Sequence, residues 1–208
     1  MRLEAYLKDP CGSSSLPWHK ARRIRPPEGL RLVHDRDFHQ AMLADYSDEP
    51  YFRLRHDLSR IPQRTVPGFR IAQASQEDIP AVAGIISASY RDIRVTPDTV
   101  SSWRELPVYD PGLWLTARAV GSGEAAGCAI AEYDPGAREG VLEWVQVLPG
   151  FRRRGIGRAM VCALLSRMKE KADFATVSGQ INNPENPEAL YRACGFTGED
   201  VWHVLKRR

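Results

Sequence analysis

Val145-Gln146-Val147-Leu148-Pro149-Gly150-Phe151-Arg152-Arg153-Arg154-Gly155-Ile156-Gly157-Arg158 places three different signals in a row. An apolar strand runs into Pro149, which cannot donate to a sheet ladder. A glycine-containing loop with three consecutive arginines follows. Ile156, Met160, Ala163, Leu164 and Met168 then recur at helical spacing. A helix start presents N–H groups without intrahelical acceptors and about half a positive charge. Gly155 and Gly157 let an anion come close to the backbone. The arginines add cationic fork donors. The segment reads as strand, anion loop and helix, fitted to a pyrophosphate.

Two familiar phosphate motifs fail on this stretch. Gly150 and Gly155 have the outer glycine spacing of a P-loop, but Ile156 and Gly157 stand where the lysine and the magnesium ligand belong. Gly155-Ile156-Gly157 begins a dinucleotide fingerprint, yet Met160 occupies the third glycine position.

Working outward, a regular alternation begins upstream at Phe69. Phe69–Ala72 reads as a strand, and Ser75 with Asp78 as a helix entry. Ile79, Val82, Ile85 and Ile86 form a helical stripe. Thr96–Trp103 is a second helix. Leu113–Arg118, Ala126–Tyr133 and Val141–Val147 read as three strands, the first two joined by a turn at Gly121-Ser122-Gly123. Downstream of the long helix come a strand at Phe174–Val177 and a short helix at Asn186–Cys194 ended by Gly195. A strand at Val201–Leu205 follows. This order is a mixed α/β pattern, not the strict alternation of a doubly wound sheet. The first 67 residues differ. Cys11–Ser15 and Pro26-Pro27 are loop signals, and Leu30–Val33 and Tyr51–Arg55 are short strands. Asp37–Tyr46 reads as a short helix. The segment is too small to bury Leu32, Val33, Phe38, Met42, Phe52 and Leu54 alone. The expected division is therefore an extension, 1–67, packed on a main domain, 68–208.

The bulk numbers narrow the class. With 43% hydrophobic and 26% charged residues the chain has a globular composition. Its formal net charge of +3 is too small to argue for nucleic acid. No run approaches a membrane span, and the N-terminus lacks the apolar stretch of a secretion signal. Cys11, Cys128, Cys162 and Cys194 form no C-x-x-C pair, so no zinc or thiol-redox motif is present. His34 and His56 lack metal-ligand spacing. The expected location is cytoplasmic.

Arg152-Arg153-Arg154-Gly155-Ile156-Gly157 resembles the [Q/R]-x-x-G-x-[G/A] acyl-CoA loop of the GNAT superfamily, and Val147-Leu148-Pro149 its usual V-x-P lead-in. Asn186-Pro187-Glu188-Ala189-Leu190-Tyr191-Arg192-Ala193-Cys194-Gly195-Phe196 is similar to the superfamily's N-x-x-A-x-x-L-Y-x-x-x-G-F segment. The superfamily's asparagine falls at Pro184 here, flanked by Asn183 and Asn186. The resemblance spans about Phe69 to Arg208.

The resemblance implies a mixed, mostly antiparallel central sheet with a splayed parallel strand pair and flanking helices. It implies acetyl-CoA as cosubstrate, no metal, and transfer of the acetyl group to a primary amine of a small molecule or protein. A non-catalytic acyl-CoA-binding regulatory module is the alternative. Val145 and Val147 are expected to bond the pantetheine arm. Backbone groups of Arg152, Arg153, Arg154, Gly155, Ile156, Gly157 and Arg158 are expected to hold the pyrophosphate, with Asn183 and Asn186 nearby. Tyr191 is the expected proton donor to the thiolate and Glu143 the candidate base. Acetyl-CoA and an amine acceptor are the expected partners, with a homodimer allowed, and nucleic acid and membrane are not.

Overall fold

A computed structural model describes residues 1–90 and 92–208. The chain divides into two compact units. One combines Met1–Asp57 with Thr176–Arg208, and the other is Leu58–Ala175.

The unit of residues 58–175 carries β3 (Phe69–Gln73), α3 (Ile79–Ser89), α4 (Pro97–Trp103), β4 (Trp114–Ala119), β5 (Ala125–Asp134), β6 (Glu139–Val147) and α5 (Ile156–Met168). Its strands form an antiparallel series in which β3 pairs β4, β4 pairs β5 and β5 pairs β6. β7 (Phe174–Gln180) begins here, at Phe174 and Ala175, as the parallel neighbour of β6 across the α5 crossover. The architecture is thus the mixed α/β, mostly antiparallel one expected.

Two helical layers cover this sheet for legible reasons. The entry to α3 is the capping box read from sequence. The Asp78 carboxylate accepts from Ser75 N–H at 2.7 Å and from the Ser75 hydroxyl at 3.0 Å. Ile79, Val82, Ile85 and Ile86 then pack with Val100 of α4 against Trp114, Cys128 and Ile130. The opposite face takes α5. A Cβ on Gly140 would lie 2.6 Å from Met168 Sδ, so the bare glycine makes room for the Met168 side chain against the strand. Burial pushes the Cys128 thiol up to about 12, which leaves it an inert core residue.

The other unit holds α1 (Leu3–Lys8), α2 (Trp18–Ala21), β1 (Leu30–His34), β2 (Tyr46–His56), the rest of β7, α6 (Pro187–Arg192) and β8 (Thr197–Arg207). β8 pairs antiparallel with β1 on one side and β2 on the other, so the two ends of the chain share one ladder. The helix expected at Asp37–Tyr46 is replaced by 3-10 turns at Asp35–Asp37 and Gln40–Ala44, and Tyr46 already belongs to β2. None of the residues 35–45 is fully buried, so no apolar face pulls this segment into an α-helix. The helices α1 and α2 have no counterpart in the sequence reading. They are four to six residues long, too short to show a period. The centre of this unit is polar. Arg53, 1% exposed, donates to the Tyr6 hydroxyl at 3.0 Å, the Ser178 hydroxyl at 3.1 Å and the Pro10 carbonyl at 3.3 Å.

Candidate functional site

β6 ends at Val147, and Pro149–Phe151 make a single 3-10 turn before α5. The residues between turn the chain sharply. Arg153 has φ +62° and Gly155 φ +84°, both left-handed. A Cβ at Gly155 would meet only Val66 at 3.9 Å. The glycine is therefore required by its backbone conformation, not by crowding. Ala159 N–H donates to the Gly155 carbonyl at 3.0 Å, the first bond of the helix ladder. The amides of Ile156 and Gly157 precede it, in the turn where a helix has no internal acceptor. The helix dipole adds positive potential at the same place.

The three arginines have separate tasks. Arg152 donates from Nε to the Val147 carbonyl at 3.0 Å and ties the loop to the end of β6. Arg154 lies over the rings of Phe69 and Phe151, 5.9 and 5.7 Å from their centroids. Arg153 is exposed on its left-handed backbone. Arg158 is half-buried in the first turn of α5.

Glu143 occupies a special point of β6. Leu142 faces Ala131 and Trp144 faces Ile130, so the register shifts by one residue at Glu143. This β-bulge reverses the alternation. Gly140 faces Met168 of α5, whereas Trp144 packs against the cluster under α3 and α4. Without the bulge both would face the same side. Trp144 stacks on Trp103 with centroids 5.6 Å apart and meets Tyr90 edge-on at 5.9 Å. Gln146, on the same side, donates to the Tyr90 hydroxyl at 2.7 Å. Val145 and Val147 are half-buried on this strand and oppose Ala129 and Gly127. Sequence reading found β6 but not its bulge, because a bulge leaves no mark on an apolar run.

Tyr191, Asn183 and Asn186 lie in the unit that contains the chain termini. Tyr191, 7% exposed, sits on α6 between Phe52 and Phe196, with centroids 6.1 and 5.8 Å away. Asn186, left-handed at φ 48°, caps α6 by accepting from Ala189 N–H at 3.2 Å. Asn183 accepts from Glu185 N–H at 3.0 Å in an Asx turn. The side-chain oxygens of both asparagines are thus engaged in local structure.

Comparison with known proteins adds three findings. The family model described as the Acetyltransferase (GNAT) family matches residues 79–196. No curated protein matches the chain. Solved structures do. A GCN5-related N-acetyltransferase from Sphaerobacter thermophilus superposes with a TM-score of 0.71 at 19% identity, covering 91% of this chain. This chain spans 63% of that protein, less than two thirds of its length. A GNAT-family acetyltransferase from Novosphingobium aromaticivorans gives 0.57 at 16% identity, covering 89% of this chain and 70% of the other. The ribosomal-protein-S18-alanine N-acetyltransferase of Escherichia coli gives 0.53 at 20% identity, covering 67% of this chain and 93% of the other. At these identities the structural likeness is one of fold.

Proposed function

Because the chain belongs to the Acetyltransferase (GNAT) family, we propose that it is an acetyl-CoA-dependent N-acetyltransferase acting on a primary amine of a small molecule or protein. The observation that carries this reading is the left-handed Gly155 where the loop after β6 turns into α5. It leaves the amides of Ile156 and Gly157 as donors at a positive helix end, which suits a pyrophosphate. Val145 and Val147 are assigned to the pantetheine arm. Backbone groups from Arg152 to Arg158 are assigned to the pyrophosphate.

Bound acetyl-CoA supplies an activated acetyl thioester. The chain's own groups must do the rest. A primary amine with a pKa near ~10 arrives mostly protonated, so a base has to take its proton. Glu143, at the bulge of β6, is assigned that task, directly or through water. A bulge also frees strand backbone from strict pairing, as a donor to a developing oxyanion requires. Tyr191 is assigned to protonate the leaving thiolate. Acceptor choice is assigned in part to residues 1–67.

The test is an acetyl-transfer screen with thiol detection over simple amines, aminoglycosides, polyamines and peptides. Acetyl-CoA should also raise the melting temperature, and CoA lacking its pyrophosphate should do so less. Gly157→Val should keep the fold and weaken acetyl-CoA binding about tenfold, since the added branch crowds the approaching phosphate. Tight acetyl-CoA binding without release of thiol on any acceptor would favour a regulatory module. Unchanged affinity in a folded Gly157→Val variant would refute the loop assignment.

A further inference from the structure

The buried cluster between α3, α4 and the sheet is built from residues such as Val82, Ile86, Val100 and Ile130. Against it stand three aromatic rings that are only half-buried: Tyr90, Trp103 and Trp144. Resting on the transferase reading above, we infer that these rings receive the acceptor and that the acceptor is an arylalkylamine, a primary amine carried on a flat, apolar body.

Placement is the first ground. Alternation along β6 puts Leu142 on the side of Gly140, which faces Met168 of α5, and so puts Glu143 on the other side. The shifted register lets Trp144 follow on that same side, where it packs against the cluster. The bulge thus sets the assigned base and a tryptophan next to each other on one face. Consecutive residues of an unbroken strand point to opposite faces. Glu143 and Trp144 are both half-buried, so an amine at the carboxylate has the ring as its neighbour.

The make of the wall is the second. Trp103, at the end of α4, lies parallel to Trp144 within 7°, and Tyr90, just past α3, meets Trp144 at 85°. The Tyr90 hydroxyl takes a hydrogen bond from the Gln146 amide of β6 at 2.7 Å. Rings from three elements therefore hold one another, and a surface fixed in this way costs a ligand little ordering entropy. The chain beyond two of the rings adds exposed aliphatic surface. Ile93, three residues past Tyr90, is 36% exposed, and Leu106, three past Trp103, is 43% exposed. Apolar surface left in water beside a half-buried aromatic group marks a binding face. Stacked and edge-on rings favour a further flat ring.

Charge is the third. The Arg94 guanidinium is turned to the backbone, donating to the Tyr90 carbonyl at 3.1 Å and the Ile93 carbonyl at 3.0 Å. Arg104 donates to the Tyr109 hydroxyl at 3.1 Å and to Gln76, and lies over the Tyr109 ring. Asp92 and Glu105 are exposed in the same two loops and offset these arginines, while Asp98 sits in the first turn of α4, away from Trp103. The loops thus add little attraction for a polycation. Glu143 serves one ammonium, and the rest of the acceptor meets rings. In the transfer the nitrogen–acetyl bond forms and the carbon–sulfur bond breaks. Of the two protons that the ammonium loses, one goes to Glu143 and one ends on the CoA thiol.

The test measures thiol release by the full chain at saturating acetyl-CoA with 2-phenylethylamine, n-butylamine, putrescine and kanamycin. The expected kcat/KM for 2-phenylethylamine is at least about tenfold above that of each of the others. Trp103→Leu should cut the preference for 2-phenylethylamine over n-butylamine about fivefold and leave acetyl-CoA affinity unchanged. A merely structural role for Trp103 would lower both amines alike and keep their ratio. Equal or better use of n-butylamine, putrescine or kanamycin by the unaltered chain would overturn the inference, as would an unchanged ratio in the folded variant. Should Trp103→Leu fail to fold, the four amines on the unaltered chain decide alone. Thiol release that disfavours 2-phenylethylamine refutes this inference and leaves the transferase reading standing, whereas no thiol release with any amine refutes both.

Discussion

The two units reach burial by different routes. Residues 58–175 fold from one continuous run, and β3, β4, β5 and β6 pair with sequence neighbours. The other unit closes its ladder with pairs such as Leu30↔Lys206 and Tyr46↔Arg207, which join the two ends of the chain. Their interiors differ as well. The cluster under α3 and α4 is apolar throughout, whereas the terminal unit is centred on the guanidinium of Arg53. An apolar cluster tolerates small changes that its packing can absorb. A unit closed over long loops around a buried cation depends on each hydrogen bond made there.

The contrast can be broken most directly at Arg53. Arg53→Met should cost about 3 kcal/mol or more, because the buried Tyr6 hydroxyl and Pro10 carbonyl lose a charged donor together. Ile86→Val, in the apolar cluster, should cost about 1 kcal/mol. Urea unfolding of both variants is the measurement, and equal losses would show that the polar centre is no more demanding than the apolar one.

The next effect is kinetic and separates chemistry from packing. Tyr191 is wedged between Phe52 and Phe196, so Tyr191→Phe keeps the ring and removes only the hydroxyl. The expected outcome is unchanged acetyl-CoA affinity and a kcat lower by about 10²-fold. An unaltered kcat, with chemistry shown to limit the rate, would return Tyr191 to a packing role.

The smallest effects concern acid, and the units should respond in different windows. His56, 2% exposed and edge-on to Phe196, has its pKa lowered from 6.5 by burial, against opposing contributions from Asp57 and the Cys194 backbone. The unfolded chain therefore takes up this proton first. Stability contributed by neutral His56 is present above about 6.5 and falls as pH drops below it. Asp78, in the other unit, is pushed up by burial, but its bonds from Arg118 and Ser75 outweigh that and leave its pKa below 3.8. Its contribution is present above the unfolded value and is lost only as pH falls through the lower folded one. Thermal melts of His56→Gln should therefore lose slope near pH 6, and those of Asp78→Asn below pH 4. The same slope in both variants would remove the distinction.

The same contrast explains what could be read early. In the contiguous unit the β6-loop-α5 junction, the stripe Ile79–Ile86 and the Ser75–Asp78 capping box are local patterns, and each appears where its spacing placed it. In the terminal unit the sequence shows β1, β2 and the centre of β8 as short strands, but not that β8 pairs with the other two. Nothing in Leu30–His34 or Tyr46–His56 points to residues about 150 positions away. Arg53 alternates with Phe52 and Leu54 in the sequence, and nothing there points to the Tyr6, Pro10 and Ser178 groups it bonds.

By itself the sequence determined the strand-loop-helix junction at Val145–Arg158, the GNAT resemblance and the helical stripes. Those depend on residue spacing within a few turns of chain, and local sterics and periodicity set them. Tertiary structure alone decided the bulge at Glu143, the division of labour among Arg152, Arg153 and Arg154, and the joining of both chain ends through β8. Each of these depends on which distant backbone or ring stands opposite, and that is settled only when the loops close and burial selects one register over the others.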